Sequence, residues 1–308
     1  MIDWLILVAG LCGIIFGAKY LVEGASALAR RWGLSEFIIG LTIVGMGTSA
    51  PEMVVSFIGA IEGNADVSMG NILGSNIFNT LLILGITAIL LPIKVTTENR
   101  KFDAPAYVAI VLLLFGLAMD NSLSRWDGLI FLVLFAAYMW WSFRHQPQDE
   151  TESEAPNQKL WVSILLVLGS LAVLILGGHY FVDSAVNIAR RSGISDKFIA
   201  ITLLAGGTSL PELATCVAAA AQKKGQLALG NIIGSNLFNI LLILGGSAVI
   251  HPLELTGFSY WDLGVLLLSA LALLFATLIG RKKEMGVISG TCFLLLFVGY
   301  MTYLIINL

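Results

Sequence analysis

Ten apolar stretches follow one another along this 308-residue chain, at roughly 3–29, 37–61, 67–90, 103–119, 127–143, 160–189, 197–221, 227–250, 261–279 and 286–306. Most reach the ~20 residues that a helix needs to cross a hydrocarbon core. No other feature narrows the fold as far. In lipid every backbone N–H and C=O must be satisfied internally, and a helix does this within one segment. Composition agrees: 57% of residues are hydrophobic and 12% charged, about half the charged share of a soluble domain, and the mean hydropathy is +0.90. The expected fold is an all-α membrane protein of ten transmembrane helices. Met1-Ile2-Asp3-Trp4 carries no basic leader and no small-residue cleavage site follows it, so the first stretch is expected to remain a helix.

The hydrophilic run Arg144–Lys159 divides the chain into residues 1–143 and 160–308, with five stretches each, joined by a short linker, 144–159. If the N-terminus lies outside, the inner loops hold Arg30, Arg31, Lys94, Arg100, Lys101, Arg144, Lys159, Lys223, Lys224, Arg281, Lys282 and Lys283, and the outer loops hold only Arg125, Arg190, Arg191 and Lys197. That bias orients both termini outward and the linker toward the cytosol. The net charge of −3 gives no reason to expect a nucleic-acid partner. Cys12, Cys216 and Cys292 lie far apart in apolar runs, which speaks against a disulfide framework or a zinc site.

Residues 20–92 align with 180–252 at a constant offset of 160. Gly47-Thr48-Ser49-Ala50-Pro51-Glu52 matches Gly207-Thr208-Ser209-Leu210-Pro211-Glu212. A second block, Gly70-Asn71-Ile72-Leu73-Gly74-Ser75-Asn76-Ile77-Phe78-Asn79, matches Gly230-Asn231-Ile232-Ile233-Gly234-Ser235-Asn236-Leu237-Phe238-Asn239. Five spans per copy is an odd number, so the second copy enters the membrane from the opposite face. Such inverted repeats place the site near the midplane, at the interface between copies, and build it from broken helices.

Glu52 and Glu212 fall in the middle of apolar spans, where a charge is costly and marks function. The preceding prolines lack an N–H, which is expected to free the carbonyls of Gly47 and Gly207 beside the hydroxyls of Thr48, Ser49, Thr208 and Ser209. Ser75 and Asn79 share a helix face, as do Ser235 and Asn239, while Asn71, Asn76, Asn231 and Asn236 read as interhelical partners. The paired glycines at 70/74 and 230/234 are expected to let helices approach closely. A donor set made only of oxygens, carboxylates among them, suits Ca²⁺ and lacks the imidazole or thiolate of a zinc or copper site. Two carboxylates give the empty cavity a charge of −2, which one Ca²⁺, two Na⁺ or two protons neutralise. Holding both sets at once would leave excess positive charge in a low dielectric, and that mutual exclusion is the basis of exchange. Lys19/Glu23 and His179/Asp183, at i, i+4 near the ends of the long first and sixth spans, are expected to be interfacial salt bridges or snorkelling side chains.

The doubled G-T-S-x-P-E and G-N-x-x-G-S-N-x-x-N blocks resemble the alpha repeats of the cation/calcium exchanger superfamily, especially its prokaryotic sodium/calcium exchangers, over nearly the whole chain. The resemblance implies that Glu52 and Glu212 bind Ca²⁺ and Na⁺. It further implies ligands from Thr48, Ser49, Ser75, Thr208, Ser209 and Ser235, with carbonyls near Gly45 and Ala205, and a gate made by sliding the first and sixth helices. Some relatives carry Asp where this chain has Asn239. With Asn79 opposite, no third carboxylate is present, which argues against K⁺ co-transport. The expectation is a Ca²⁺/Na⁺ antiporter, not an enzyme, with no cofactor and no obligatory protein partner, in a prokaryotic cell membrane. The alternative is an antiporter of H⁺ for Ca²⁺, or for another divalent cation, on the same scaffold. A serine hydrolase lacks a base near Ser49 or Ser209, and a channel fits inverted repeats with broken helices less well.

Overall fold

The computed structural model describes residues 2–145, 159–192, 206–255, 260–279 and 284–307. The helices are α1 (Ile2–Trp32), α2 (Glu36–Thr48), α3 (Ala50–Ile61), α4 (Ala65–Leu90), α5 (Asn99–Asp120), α6 (Arg125–Arg144), α7 (Leu160–Arg191), α8 (Leu210–Ala221), α9 (Gly225–Ile250), α10 (Tyr260–Ile279) and α11 (Val287–Asn307). Local chemistry sets the ends. Gly33 at φ +64° and Leu34 N–H bonding back to the Ala29 carbonyl at 2.9 Å close α1 in a left-handed cap. Ser35 then caps α2 by accepting from Ile38 N–H at 3.3 Å. Ser124 and Asp127 form a capping box at the start of α6.

Among the described residues eight helices are long and apolar enough to span a bilayer, and α2 with α3 makes a ninth span bent by 51° at Ser49. The chain is therefore a multi-pass, all-helical membrane protein. Of the expected stretch 197–221, the first part lies outside the described residues and the rest is the short apolar helix α8.

The long helices α1 and α7 pack antiparallel. A Cβ on Gly10 would meet the Gly177 carbonyl at 2.8 Å, one on Gly17 would meet Leu174 N at 2.9 Å, and Gly24 faces Leu166 and Val167. Arg191 at the end of α7 closes one end of the pair by an ion pair with Asp3. His179 and Asp183 pair at 3.3 Å as expected, but the Lys19 ammonium lies over the Tyr20 ring, 5.5 Å from its centroid, rather than on Glu23. The axis of the bundle is α9, buried along most of its length, with α2 lying against it. Cβ atoms on Gly40, Gly230 and Gly234 would come within 2.2–2.4 Å of the Leu227, Phe37 and Leu41 carbonyls. The second glycine pair thus permits close approach, whereas no described residue comes that near Gly70 or Gly74.

Two short antiparallel clasps join distant loops. β1 (Ile93–Lys94) pairs with β4 (Glu284–Met285), and β2 (Ser122–Leu123) with β3 (Leu253–Glu254). At the repeat offset β1 corresponds to β3, so the two clasps are counterparts. Matching braces hold the outer helices: Tyr138 of α6 donates to Asp103 of α5 at 2.8 Å, and Tyr300 of α11 donates to Asp262 of α10 at 3.1 Å.

Candidate ion site

Each motif glutamate stands in the first turn of a helix, Glu52 in α3 and Glu212 in α8. Unpaired N–H groups and the helix dipole favour a negative charge there. The prolines take the first turn of these helices, where no N–H is needed, so the chain breaks at Ser49 and restarts. This corrects one expectation. The Gly207 carbonyl is not freed but accepts from Leu210 N–H at 3.3 Å, because a tighter turn replaces the helical bond that Pro211 removes.

Both glutamates are fully buried, and each takes a hydrogen bond from the serine of the other sequence copy. Ser49 Oγ donates to Glu212 Oε1 at 3.0 Å, and Ser209 Oγ donates to Glu52 Oε1 at 3.4 Å. Ser75 Oγ reaches the same Glu52 oxygen at 3.4 Å. Thr208 also interacts with Glu52, as Thr48 and Ser235 do with Glu212. The Gly45 carbonyl sits in this group and accepts from Thr48 Oγ1 at 3.4 Å, Ser235 Oγ at 3.3 Å and Ser49 N–H at 3.1 Å. Ala205 lies outside the described residues. Among the described residues neither glutamate has a basic partner within salt-bridge distance.

Behind the carboxylates, four buried amides form a chain between α4 and α9. Asn79 Nδ2 donates to Asn236 Oδ1 at 3.2 Å, and Asn239 Nδ2 donates to Asn76 Oδ1 at 2.9 Å. Asn76 Nδ2 bonds the Asn236 carbonyl at 3.1 Å, and Asn236 Nδ2 bonds Thr80 Oγ1 at 2.8 Å. Asn71 and Asn231 brace the motifs: Asn71 Nδ2 donates to Ser56 Oγ at 2.9 Å and to the Glu52 carbonyl at 3.1 Å, while Asn231 accepts from Thr48 and donates to Cys216 Sγ.

Among the described residues four buried oxygens of these motifs are left without a donor: Glu52 Oε2, Glu212 Oε2, Asn79 Oδ1 and Asn239 Oδ1. Buried acceptors are normally satisfied, and a cation is one partner that could satisfy acceptors gathered in one place. Hydroxyls that donate to a carboxylate keep their lone pairs for the same ion. All these donors are oxygen, the preference of hard cations such as Ca²⁺. A cavity of about 160 Å³ lined by Phe78, Phe181, Val182, Gly207, Ser209 and Leu210 brings open space to Ser209 from the α7 side. Sequence reasoning missed Thr80, which lies one residue past the matched block, and three π-helical turns, Gly40–Val44, Phe78–Ile83 and Asn239–Leu244, that flank the site. Such turns recur at functional sites, and no residue pattern announces them here.

The profile of the family described as sodium/calcium exchanger protein matches residues 2–144 and 162–306. The chain belongs to the sodium/calcium exchanger family. It is therefore a transmembrane ion exchanger of an antiporter family and not an enzyme. It is 32% identical over 345 residues to the sodium/calcium exchanger MaX1 of Methanosarcina acetivorans, covering 98% of each chain. It is 36% identical to the inner membrane protein YrbG of Escherichia coli, covering 90% of this chain and 89% of that one. The solved structure of the sodium-calcium exchanger NCX_Mj superposes with a TM-score of 0.86 at 32% identity, covering 98% of each chain.

Proposed function

We propose that this exchanger carries Ca²⁺ in one direction and Na⁺ in the other by alternating access at a midplane site containing Glu52 and Glu212. Thr48, Ser49, Ser75, Asn79, Thr208, Ser209, Ser235 and Asn239 complete the ligand set, with the Gly45 carbonyl and its counterpart at Ala205. The observation that carries this reading is the pair of buried carboxylates, each held by the opposite motif's serine, each with an oxygen that no protein group satisfies. The sodium/calcium exchangers that the chain resembles supply the choice of ions.

Residues 1–143 and 160–308 act as two inverted five-helix units joined by the linker 144–159. The antiparallel packing of α1 on α7, which hold equivalent places in the two copies, supports that relation. So does a parity argument. Leu123 and Leu253 are paired and share one membrane face. Three long described helices, α6, α7 and α9, lie between them, so an even number of crossings requires one more between Arg191 and Gly225. That count supports ten spans, and the excess of inner Lys and Arg supports outward termini. The α1–α7 pair slides as a unit against the bundle to open the site to either face.

The test is ⁴⁵Ca²⁺ uptake into proteoliposomes under an outward Na⁺ gradient, with a pH gradient in parallel. Uptake driven by Na⁺ is expected. Uptake driven only by the pH gradient would assign the proton-coupled alternative, and no uptake under either would overturn the calcium reading.

A further inference from the structure

We propose that Thr80 is a positioning residue of the ion site: its hydroxyl gives the buried Asn236 NH₂ its acceptor and thereby holds the Asn79 amide that bonds to Asn236, with the Asn79 oxygen left for the cations. The inference rests on the exchange reading above. An amide has one accepting end and one donating end. Asn236 Nδ2 is committed to Thr80 Oγ1 at 2.8 Å, so its Oδ1 faces the other way, where it accepts from Asn79 Nδ2 at 3.2 Å. Asn79, with its donor end used, is left presenting an oxygen that has no donor. All three side chains are fully buried, so water does not compete for these bonds.

The other copy reaches the same end by a different route. Asn239 donates to Asn76 Oδ1 at 2.9 Å, and Asn76 Nδ2 bonds the Asn236 main-chain carbonyl at 3.1 Å. A backbone carbonyl only accepts, so the orientation of Asn76, and of Asn239 after it, is set by main chain. The counterpart of Thr80 at the repeat offset is Ile240, which offers no polar group. Asn79 thus depends on a single side-chain hydroxyl. Without it the Asn236 NH₂ is buried with no acceptor, and it regains one only where both amides turn over together. That paired turn spends the Asn79 oxygen on Asn236 and aims the Asn79 NH₂ where a cation binds.

The experiment compares half-saturating Ca²⁺ for Na⁺-driven uptake by wild type, Thr80→Val, Thr80→Ser, Asn79→Ala and the double variant Thr80→Val/Asn79→Ala. Thr80→Val keeps the shape and removes the acceptor. It is expected to raise half-saturating Ca²⁺ about three- to tenfold with the maximal rate per folded protein retained, and Thr80→Ser to restore it. Because both groups act through one oxygen, Thr80→Val is expected to add nothing in the Asn79→Ala background. Wild-type affinity in Thr80→Val, or a full additive loss in the double variant, would overturn the assignment. Thr80→Ala gives the same reading where the valine disturbs folding. Wild-type uptake and its weakening by Asn79→Ala report on the exchange reading separately from Thr80.

Discussion

Ser49 and Ser209 each donate to the glutamate of the opposite motif, so neither carboxylate is held by its own helix alone. Ser49→Ala or Ser209→Ala removes a donor to a carboxylate and a proposed cation ligand together. Each is expected to raise half-saturating Ca²⁺ roughly ten- to a hundredfold, from the ~1.5–3 kcal/mol of a hydrogen bond to a charge, while the protein still folds. Equilibrium ⁴⁵Ca²⁺ binding to purified protein checks this, and unchanged affinity in either variant would remove its serine from the ligand set. At this scale much was legible from the duplication, because a carboxylate repeated at equivalent mid-span positions has few purposes but function. The crossed serine bonds were not legible, since they depend on how the copies face each other. Thr80 was hidden for a related reason: the copies diverge there to Ile240, and a search for repeated residues passes over it. The carbonyl at Gly207 was misread because a broken helix can recover its bonds in a tighter turn.

Glycine spacing decides how the elements meet. On α2 and α9 three glycines stand where a Cβ would lie 2.2–2.4 Å from a neighbouring carbonyl oxygen, a contact that no rotamer change relieves. Gly40→Ala or Gly230→Ala must push α2 from α9 and with it Gly45 from Ser235. A cost of about 1–3 kcal/mol or more is expected, read as a lower melting temperature in detergent and a lower folded yield. Gly178→Ala should be harmless by the same measure, since its nearest approach is Pro211 Cγ at 4.0 Å and the counterpart residue is Ala18. Equal stability of all three variants would contradict this packing. The helices themselves were readable from apolar length and from turn residues such as Gly33 and Ser35. The bend at Ser49 followed from Pro51. The π-helical turns were not readable, because they arise where packing forces an extra residue into a turn rather than from any local preference.

For the whole molecule, the clasps β1–β4 and β2–β3 fix which loops share a face. The proposed ten crossings with outward termini would place Glu254 outside and Lys94 inside, both exposed. With Cys12, Cys216 and Cys292 replaced, Glu254→Cys is expected to react with a membrane-impermeant maleimide in intact cells, and Lys94→Cys only after permeabilisation. The reverse pattern would invert the assigned topology, and labelling of both from outside would contradict ten crossings. In the proposed mechanism one site, closed by two glutamates from two copies, holds the exchanged ions. The most direct test is Na⁺-driven ⁴⁵Ca²⁺ uptake in proteoliposomes by wild type, Glu52→Gln and Glu212→Gln at matched amounts of folded protein. Robust uptake by wild type and its loss in both variants are expected, because each leaves the cavity short of the charge that neutralises Ca²⁺; wild-type uptake by either variant would rule out the shared two-glutamate site.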